Sequence, residues 1–294
     1  MNKAQIVYFS GTGGTMRVSK QLAKALTSRD IEVQLMALDK QEFDYHTASK
    51  CEQLADLVIL VFAVHAFDAP EPVYDWLSAI PDGNGQAVAV ISVSAGGEVW
   101  SNSACRVGCI QLFEQKGYNV FYEKMFVMPS NAFFATEEQL AIRLLQVLPS
   151  KVGSCVTEIL SGVQRRKRVP ITARMMTIIS KLEKKVVKKF PKKHFRVNEK
   201  CTGCAWCTRS CPRKNINMIA SRPSFGAECV MCLRCIYGCP EKAIHTDKYR
   251  FFFLKDGYSL DELEKRRSNT ELELIEKVKT GFSFRGVRNY LLDK

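Results

Sequence analysis

No apolar run in this chain is long enough to cross a bilayer. The longest, Leu54 to Phe67, is interrupted by Asp56 and His65 and falls short of the ~20 residues that a spanning helix requires. Met1 is followed by a polar residue and then a strand pattern rather than a basic and apolar leader, so no secretory signal is expected. There is no Ser-His-Asp arrangement, no zinc triad and no carboxylate pair, and no catalytic side chain is nominated. The glycine-rich loop near the N-terminus lacks the Gly-Lys-Ser/Thr of a Walker loop. No nucleic-acid-binding motif accompanies the net charge of +13, so nucleic acid is not expected as a partner. These absences point to a soluble, cytoplasmic protein whose thiols stay reduced.

What the chain has in quantity is cysteine. Eight of its 12 cysteines lie between residues 201 and 239, in two runs of the form Cys-x-x-Cys-x-x-Cys-x-x-x-Cys-Pro. Cys201, Cys204, Cys207 and Cys211 map onto Cys229, Cys232, Cys235 and Cys239 with an offset of 28 residues, and Ile216 maps onto Ile244. Thiolates two residues apart on a curling loop can all face one cavity, which suits a four-iron cluster. The fourth cysteine, followed by proline, leaves that loop and ligates the other cluster. The assignment is therefore Cys201, Cys204, Cys207 and Cys239 for one [4Fe–4S] cluster, and Cys229, Cys232, Cys235 and Cys211 for a second. Structural zinc is usually held by two separated Cys-x-x-Cys pairs, and disulfides need an oxidising compartment; neither fits as well. Cys51, Cys105, Cys109 and Cys155 stand apart and read as buried structural thiols.

The first half alternates strand and helix patterns. Strands are expected over Ala4–Phe9, Ile31–Leu38, Asp56–Val64, Gln86–Ser94 and Tyr118–Met125. Helices are expected over Met16–Ser28, Pro72–Ile80, Asn102–Lys116 and Thr136–Gly162, the last opened by a Thr136/Gln139 capping box. This is the α/β doubly wound pattern: a five-stranded parallel sheet of order 2-1-3-4-5. Its ligand loops would follow strands one, three and four. After strand one comes Ser10-Gly11-Thr12-Gly13-Gly14-Thr15, where glycines let amides converge, hydroxyls donate and a helix N-terminus favours an anion. A dinucleotide fingerprint begins at Gly11-Thr12-Gly13 but meets Met16 where its third glycine belongs. Ala63, Val64, His65, Ala66 and Phe67 offer aromatic faces to a ring, and Ser94, Ala95, Gly96, Gly97 and Trp100 offer close backbone approach.

The loop at residues 10–15 resembles the FMN phosphate loop of flavodoxins, and residues 195–248 resemble bacterial two-cluster ferredoxins. In that order the halves resemble a flavodoxin–ferredoxin fusion family of anaerobes, to which Pro129-Ser130-Asn131 is also similar. The family usually has Gly-Asn-Thr where this chain has Gly13-Gly14-Thr15. The resemblance implies FMN and two [4Fe–4S] clusters in an electron-transfer protein serving a redox protein partner. An FMN-dependent reductase acting on a small molecule is the alternative. The expected domains are a flavodoxin-like domain at 1–163, a basic connector at 164–195, a small α+β ferredoxin domain at 196–248 and a helical extension at 249–294.

Charge is divided unevenly, at −5 for residues 1–150 and +18 for the remainder. An acidic partner, or the acidic half itself, would complement the basic half. In the connector, Ile171, Met175, Ile178, Ile179, Leu182, Val186 and Phe190 recur at helical spacing, opposite Lys181, Lys184, Lys185 and Lys188. Three readings follow, in this order: a helix packing its stripe on either domain, a homodimer through the stripe, or contact with an anionic membrane surface. Beyond the clusters, Ser259 and Glu262 form a capping-box signature, Gly281 is a plausible helix stop, and the tail from Phe282 is expected to cover a neighbouring surface.

Overall fold

The strand Leu57–Ala63 is apolar at every position and needs cover on both faces. In the computed structural model, which describes residues 1–39, 55–267 and 284–293, it is the central strand β3 of a five-stranded sheet. With β1 (Lys3–Phe9), β2 (Glu32–Ala37), β4 (Ala87–Ser94) and β5 (Asn119–Val127) it forms the all-parallel order β2-β1-β3-β4-β5. That is the flavodoxin-like order expected from the sequence. Side chains alternate across β3. Leu57, Ile59 and Val61 meet Leu22 and Leu26 of α1 (Gly14–Thr27) and Val152 and Val156 of α4 (Glu138–Leu160). Val58, Leu60 and Phe62 meet Trp76 and Leu77 of α2 (Glu71–Ala79) and Phe113 of α3 (Val107–Gln115). Each such side chain contributes about 1.5–3 kcal/mol by leaving water. Cys105, Cys109 and Cys155 are buried as expected; Cys51 and Gly281 lie outside the described residues.

Two local expectations need correction. Helix α4 is capped by Glu137, whose carboxylate accepts from the Leu140 amide, while Thr136 instead accepts from the Ser130 amide at 2.8 Å. The longer Glu137 side chain reaches the first turn, leaving Thr136 to brace the loop after β5. The second correction concerns α5 (Ile171–Lys188). Most of its apolar stripe does not pack on either domain: Ile171, Met175, Ile179, Leu182 and Val186 are exposed, whereas Phe190 packs on the core of the second half and the Ile178 side chain lies outside the described residues. The helix lies instead on Ala173 and Ser180, both fully buried. From the same side Lys184 reaches Asp68 and the Ala69 carbonyl at 2.6 Å, and Lys188 reaches Glu71 at 2.5 Å.

The second half is built from two small antiparallel pairs. After the short α6 (Phe190–His194), β6 (Phe195–Val197) pairs with β9 (Ile244–Thr246), and β7 (Ile216–Ile219) pairs with β8 (Arg222–Phe225). Phe195, Ile216 and Ile244 form its core with α7 (Trp206–Ser210) and α8 (Arg234–Tyr237) alongside. The extension returns to the first half. Leu260 of α9 (Leu260–Arg267) enters the core beside α1, and Val287 and Leu291 of α10 (Arg285–Leu291) pack on Leu140 and Leu144. The tail thus covers a neighbouring surface, as expected.

One buried cation holds the edge of the sheet to the connector. Arg106 donates to Glu123 at 2.6 Å, Ser92 at 2.8 Å and Glu98 at 2.5 Å. The Lys167 amide donates to the other oxygen of Glu123 at 2.6 Å. Removing one member of such a group leaves a buried charge uncompensated, at a cost of about 3–5 kcal/mol. Arg106→Leu is therefore expected to lower urea-unfolding stability by about that amount, and Glu98→Gln, at the solvent rim, by under ~1 kcal/mol. Equal losses from the two variants would contradict this account.

Candidate functional site

The cysteine runs keep their repeat in the backbone. Gly203, Ala205 and Lys214 have left-handed φ angles of 73°, 57° and 50°, and their equivalents 28 residues later, Met231, Leu233 and Lys242, have 48°, 63° and 48°. Five of these six positions are not glycine, a rare conformation that persists where the surroundings over-determine it. Here it curls each loop so that its thiols turn inward. The fourth cysteines match as well: the Asn215 amide donates to Cys211 Sγ at 3.3 Å and the Ala243 amide to Cys239 Sγ at 3.3 Å.

The loops enclose two cavities. One is lined by Cys229, Cys232, Cys235 and Cys211, walled by Phe195, Ile216 and Phe225. The other is lined by Cys201, Cys204, Cys207 and Cys239, with Met218, Pro223 and Ile244. Each therefore takes three thiols from one run and the fourth from the other. Among the described residues no group of three or more His, Cys, Asp or Glu side chains could hold a single metal ion. Burial pushes Cys229 up, Cys232 up to about 11 and Cys235 well up, with neighbouring thiols adding to the effect on Cys229 and Cys235. A set of thiols this desolvated gives up its protons to bound metal rather than to water, so the donor set fits an iron–sulfur group.

The phosphate-loop candidate lies between β1 and α1. Gly13 is left-handed at φ 97°, and among the described residues the amides of residues 11–15 have no acceptor within the chain. Ser10 Oγ accepts from the Met16 amide at 3.2 Å, and Thr12 Oγ1 accepts from Asn131 Nδ2 at 2.9 Å. The Ser10 hydroxyl so engaged keeps its own proton to donate, whereas that of Thr12 also meets the Tyr258 hydroxyl. Thr15 is buried at the first turn of the helix. Free amides, donating hydroxyls and a 14-residue helix N-terminus fit a phosphate monoester.

The cysteine loops and this loop touch. A Cβ on Gly11 would stand 2.5 Å from the Cys232 carbonyl, so only glycine allows the approach. Arg234 clasps the contact, donating to Ser10 O at 2.7 Å, Gly11 O at 3.2 Å, Ser210 O at 2.9 Å and Asp39 at 2.6 Å. Tyr237 donates to the Asn131 carbonyl, and Tyr258 to that of Pro129. Sequence reasoning missed Arg234, Tyr237 and Tyr258. A signal existed for the first: the repeat places Trp206 where the second run has Arg234. Trp206 closes on Gly238 inside its own half, whereas Arg234 reaches outward.

The remaining candidates fall around the same end of the sheet. Ala66 and Phe67 are both left-handed and make a tight turn closed by reciprocal bonds between His65 and Asp68. Ala63 ends β3 below it, and the Val64 amide donates to the Val93 carbonyl at 2.9 Å. Across from them, Ser94 Oγ accepts from the Gly97 amide at 2.9 Å, and α10 closes on Gly96 and Gly97 through Gly286. Ala95 is half-buried and Trp100 is exposed on a short 3-10 turn.

No protein-family model matches the chain, and no curated protein matches it. Solved structures align with its first half. A flavodoxin of Streptococcus pneumoniae is 16% identical over 55% of this chain and 99% of its own, with a TM-score of 0.39. A flavodoxin of Pseudomonas aeruginosa is 12% identical over 55% and 98%, at 0.40. An azoreductase of Bacillus anthracis is 11% identical over 54% and 100%, at 0.39. The fold assignment rests on strand order and not on these likenesses.

His65 is a titratable group at the junction. Its Nδ1 lies 3.0 Å from the Val230 carbonyl, which can only accept, so the neutral ring carries its proton on Nδ1. Burial pulls its pKa down to about 4. Because the folded value is depressed below 6.5, the unfolded chain binds the proton first. His65 therefore costs stability as pH falls from about 6.5 toward 4. His65→Asn is expected to flatten that part of the pH–stability curve, and the His65 ring resonances should not titrate between pH 5 and 8. A ring titrating near 6.5 would refute the assignment.

Proposed function

We propose that the chain is an iron–sulfur flavoprotein that relays single electrons between a redox protein partner and FMN through two [4Fe–4S] clusters. The observation that carries this reading is the crossed lining of the two cavities, three thiols from one run and one from the other. Cys201, Cys204, Cys207 and Cys239 would hold the first cluster, and Cys229, Cys232, Cys235 and Cys211 the second. Ser10 to Thr15 would take the FMN phosphate, and His65, Phe67 and Trp100 would flank the ring, while Gly286 of α10 takes up the close approach at Gly96 and Gly97. When bound, clusters exchange one electron each and a flavin one or two, so the chain would couple the two regimes.

Cys232 touches the phosphate loop at Gly11, so the second site is the inner one. Cys204 is exposed; Lys200, Arg209 and Lys242 are exposed in the same stretches and outnumber the exposed acids Glu199 and Glu241, and Arg209 donates to the Cys204 carbonyl at 3.0 Å. This basic rim suits an acidic partner, whose arrival it would steer and whose contact salt would weaken. Phe195, Ile216 and Phe225 keep water from the inner site, and the Asn215 and Ala243 amides donate to cysteine sulfur, the kind of contact that tunes cluster potential.

Anaerobic reconstitution should give about eight irons, eight sulfides and one FMN per chain. Paired substitutions test the crossing. Cys204→Ala with Cys239→Ala should leave one intact cluster, with about four irons, because both strike the same site. Cys232→Ala with Cys239→Ala should leave none. The reverse pattern would overturn the ligand assignment, and retention of zinc in place of iron would overturn the function.

A further inference from the structure

Helix α5 presents its apolar side to solvent over its whole length of 18 residues. Ile171, Met175, Ile179, Leu182 and Val186 are 50–81% exposed, and by the helical period they share one face. The stripe does not stop at the end of the helix. Phe190, one turn beyond Val186, has its ring 5.7 Å from that of Tyr249; Tyr249 lies 6.2 Å from Phe251, and Phe251 6.5 Å from Phe133. Tyr249, Phe251, Phe133 and the adjoining Phe134 are each more than half exposed. A continuous apolar and aromatic surface of this extent is uncommon on a protein that meets only water.

Its charged border selects the occupant. Residues 165–193 contain twelve Lys and Arg against one acid, Glu183. Part of that charge turns inward: Lys184 and Lys188 pair with Asp68 and Glu71, and Arg166 and Lys167 with Glu114 and Glu98. The rest borders the stripe, where Arg168, Lys185, Lys189, Lys192 and Lys193 are exposed. A second copy docked stripe to stripe would bring these cations against their own equivalents, and like charges facing across an interface are costly. An anionic lipid surface answers both features, taking apolar side chains into the acyl boundary while lysines meet headgroups. Exposed Phe and Tyr are also the rings that settle at that depth. No helix among the described residues is long and apolar enough to cross a membrane.

We infer that α5, with the aromatic row beyond it, is an in-plane docking surface for anionic lipid bilayers. Through Lys184 the opposite side of the helix is fixed to Asp68, three residues from His65, so α5 would lie between a membrane it holds and the loops at the end of β3. The inference is independent of which cofactors the chain holds.

Cosedimentation of the full chain with vesicles of phosphatidylcholine and phosphatidylglycerol, in a roughly two-to-one ratio, tests it. The protein should pellet with these vesicles and stay in the supernatant with phosphatidylcholine alone. Ile179→Asp with Leu182→Asp should abolish pelleting with an unchanged circular dichroism spectrum, since both side chains are exposed. Lys185→Glu with Lys189→Glu, which leaves the stripe intact, should weaken vesicle binding by about tenfold or more. Three results would overturn the inference: no pelleting with the anionic vesicles, equal pelleting with neutral ones, or a lipid-free dimer that the aspartate pair dissociates.

Discussion

Arg234 distributes its guanidinium among acceptors from three separate stretches of chain: the carbonyls of Ser10 and Gly11, the carboxylate of Asp39 and the carbonyl of Ser210. Around this clasp the remaining contacts between the halves fall into place. It draws the loop at Cys232 so close that residue 11 has no space for a side chain. The same approach lets the Val230 carbonyl accept a hydrogen bond from His65 Nδ1 and lets Tyr237 reach Asn131. Charged hydrogen bonds to a guanidinium contribute about 1.5–3 kcal/mol each; two of these accept with backbone atoms at the end of β1 and a third with the carbonyl that ends α7. The contact between the thiol cavity and the phosphate loop is thus a product of rigid elements on both sides rather than of a linker.

The strands, the duplicated cysteines and the loop after β1 were legible because each carries a period or a spacing. β3 announces itself by seven apolar residues in a row, and the offset of 28 residues pairs the two runs without ambiguity. The contacts that join the halves were not legible. Arg234, Tyr237 and Tyr258 are single polar residues separated from their partners by more than a hundred positions, and no local pattern marks a donor of that kind. For α5 the local pattern actively misled. An apolar stripe ordinarily faces the protein, but here Ala173 and Ser180 allow a closer approach than Ile or Leu would. Lys184 and Lys188 also find acids waiting at the start of α2.

The uneven charge of the chain follows the same logic. Much of the excess on the basic half meets acids of the other half: Arg213 pairs with Asp75, Arg234 with Asp39, Lys184 with Asp68, Lys188 with Glu71 and Arg266 with Glu138. Arg17 of the first half is in turn held by Asp261 and Glu264 of α9. The extension therefore acts as a strap across the helix that opens from the phosphate loop, its Leu260 seated in the same core as Leu22 and Leu26. An ion pair at the surface contributes little by itself, about 0–1 kcal/mol. Spread along the whole seam, such pairs fix orientation more than they add stability.

Where pairing within the chain ends, the surface changes character. Among the exposed cations two groups stand out, one along α5 and α6 and one around exposed Cys204. The two sets differ in their surroundings. Those on α5 border large apolar side chains, whereas those near Cys204 accompany a thiol of the outer cavity and the exposed Ile219. A long apolar face with a basic border calls for a surface that is both anionic and oily. A small basic rim at the mouth of a buried cavity would attract acidic bodies and be screened by salt. The single excess of positive charge read from the sequence therefore resolves into three physical roles: seam, outer mouth and helix face. Composition alone could not separate them, because what distinguishes one lysine from another is the side of the helix on which its neighbours lie.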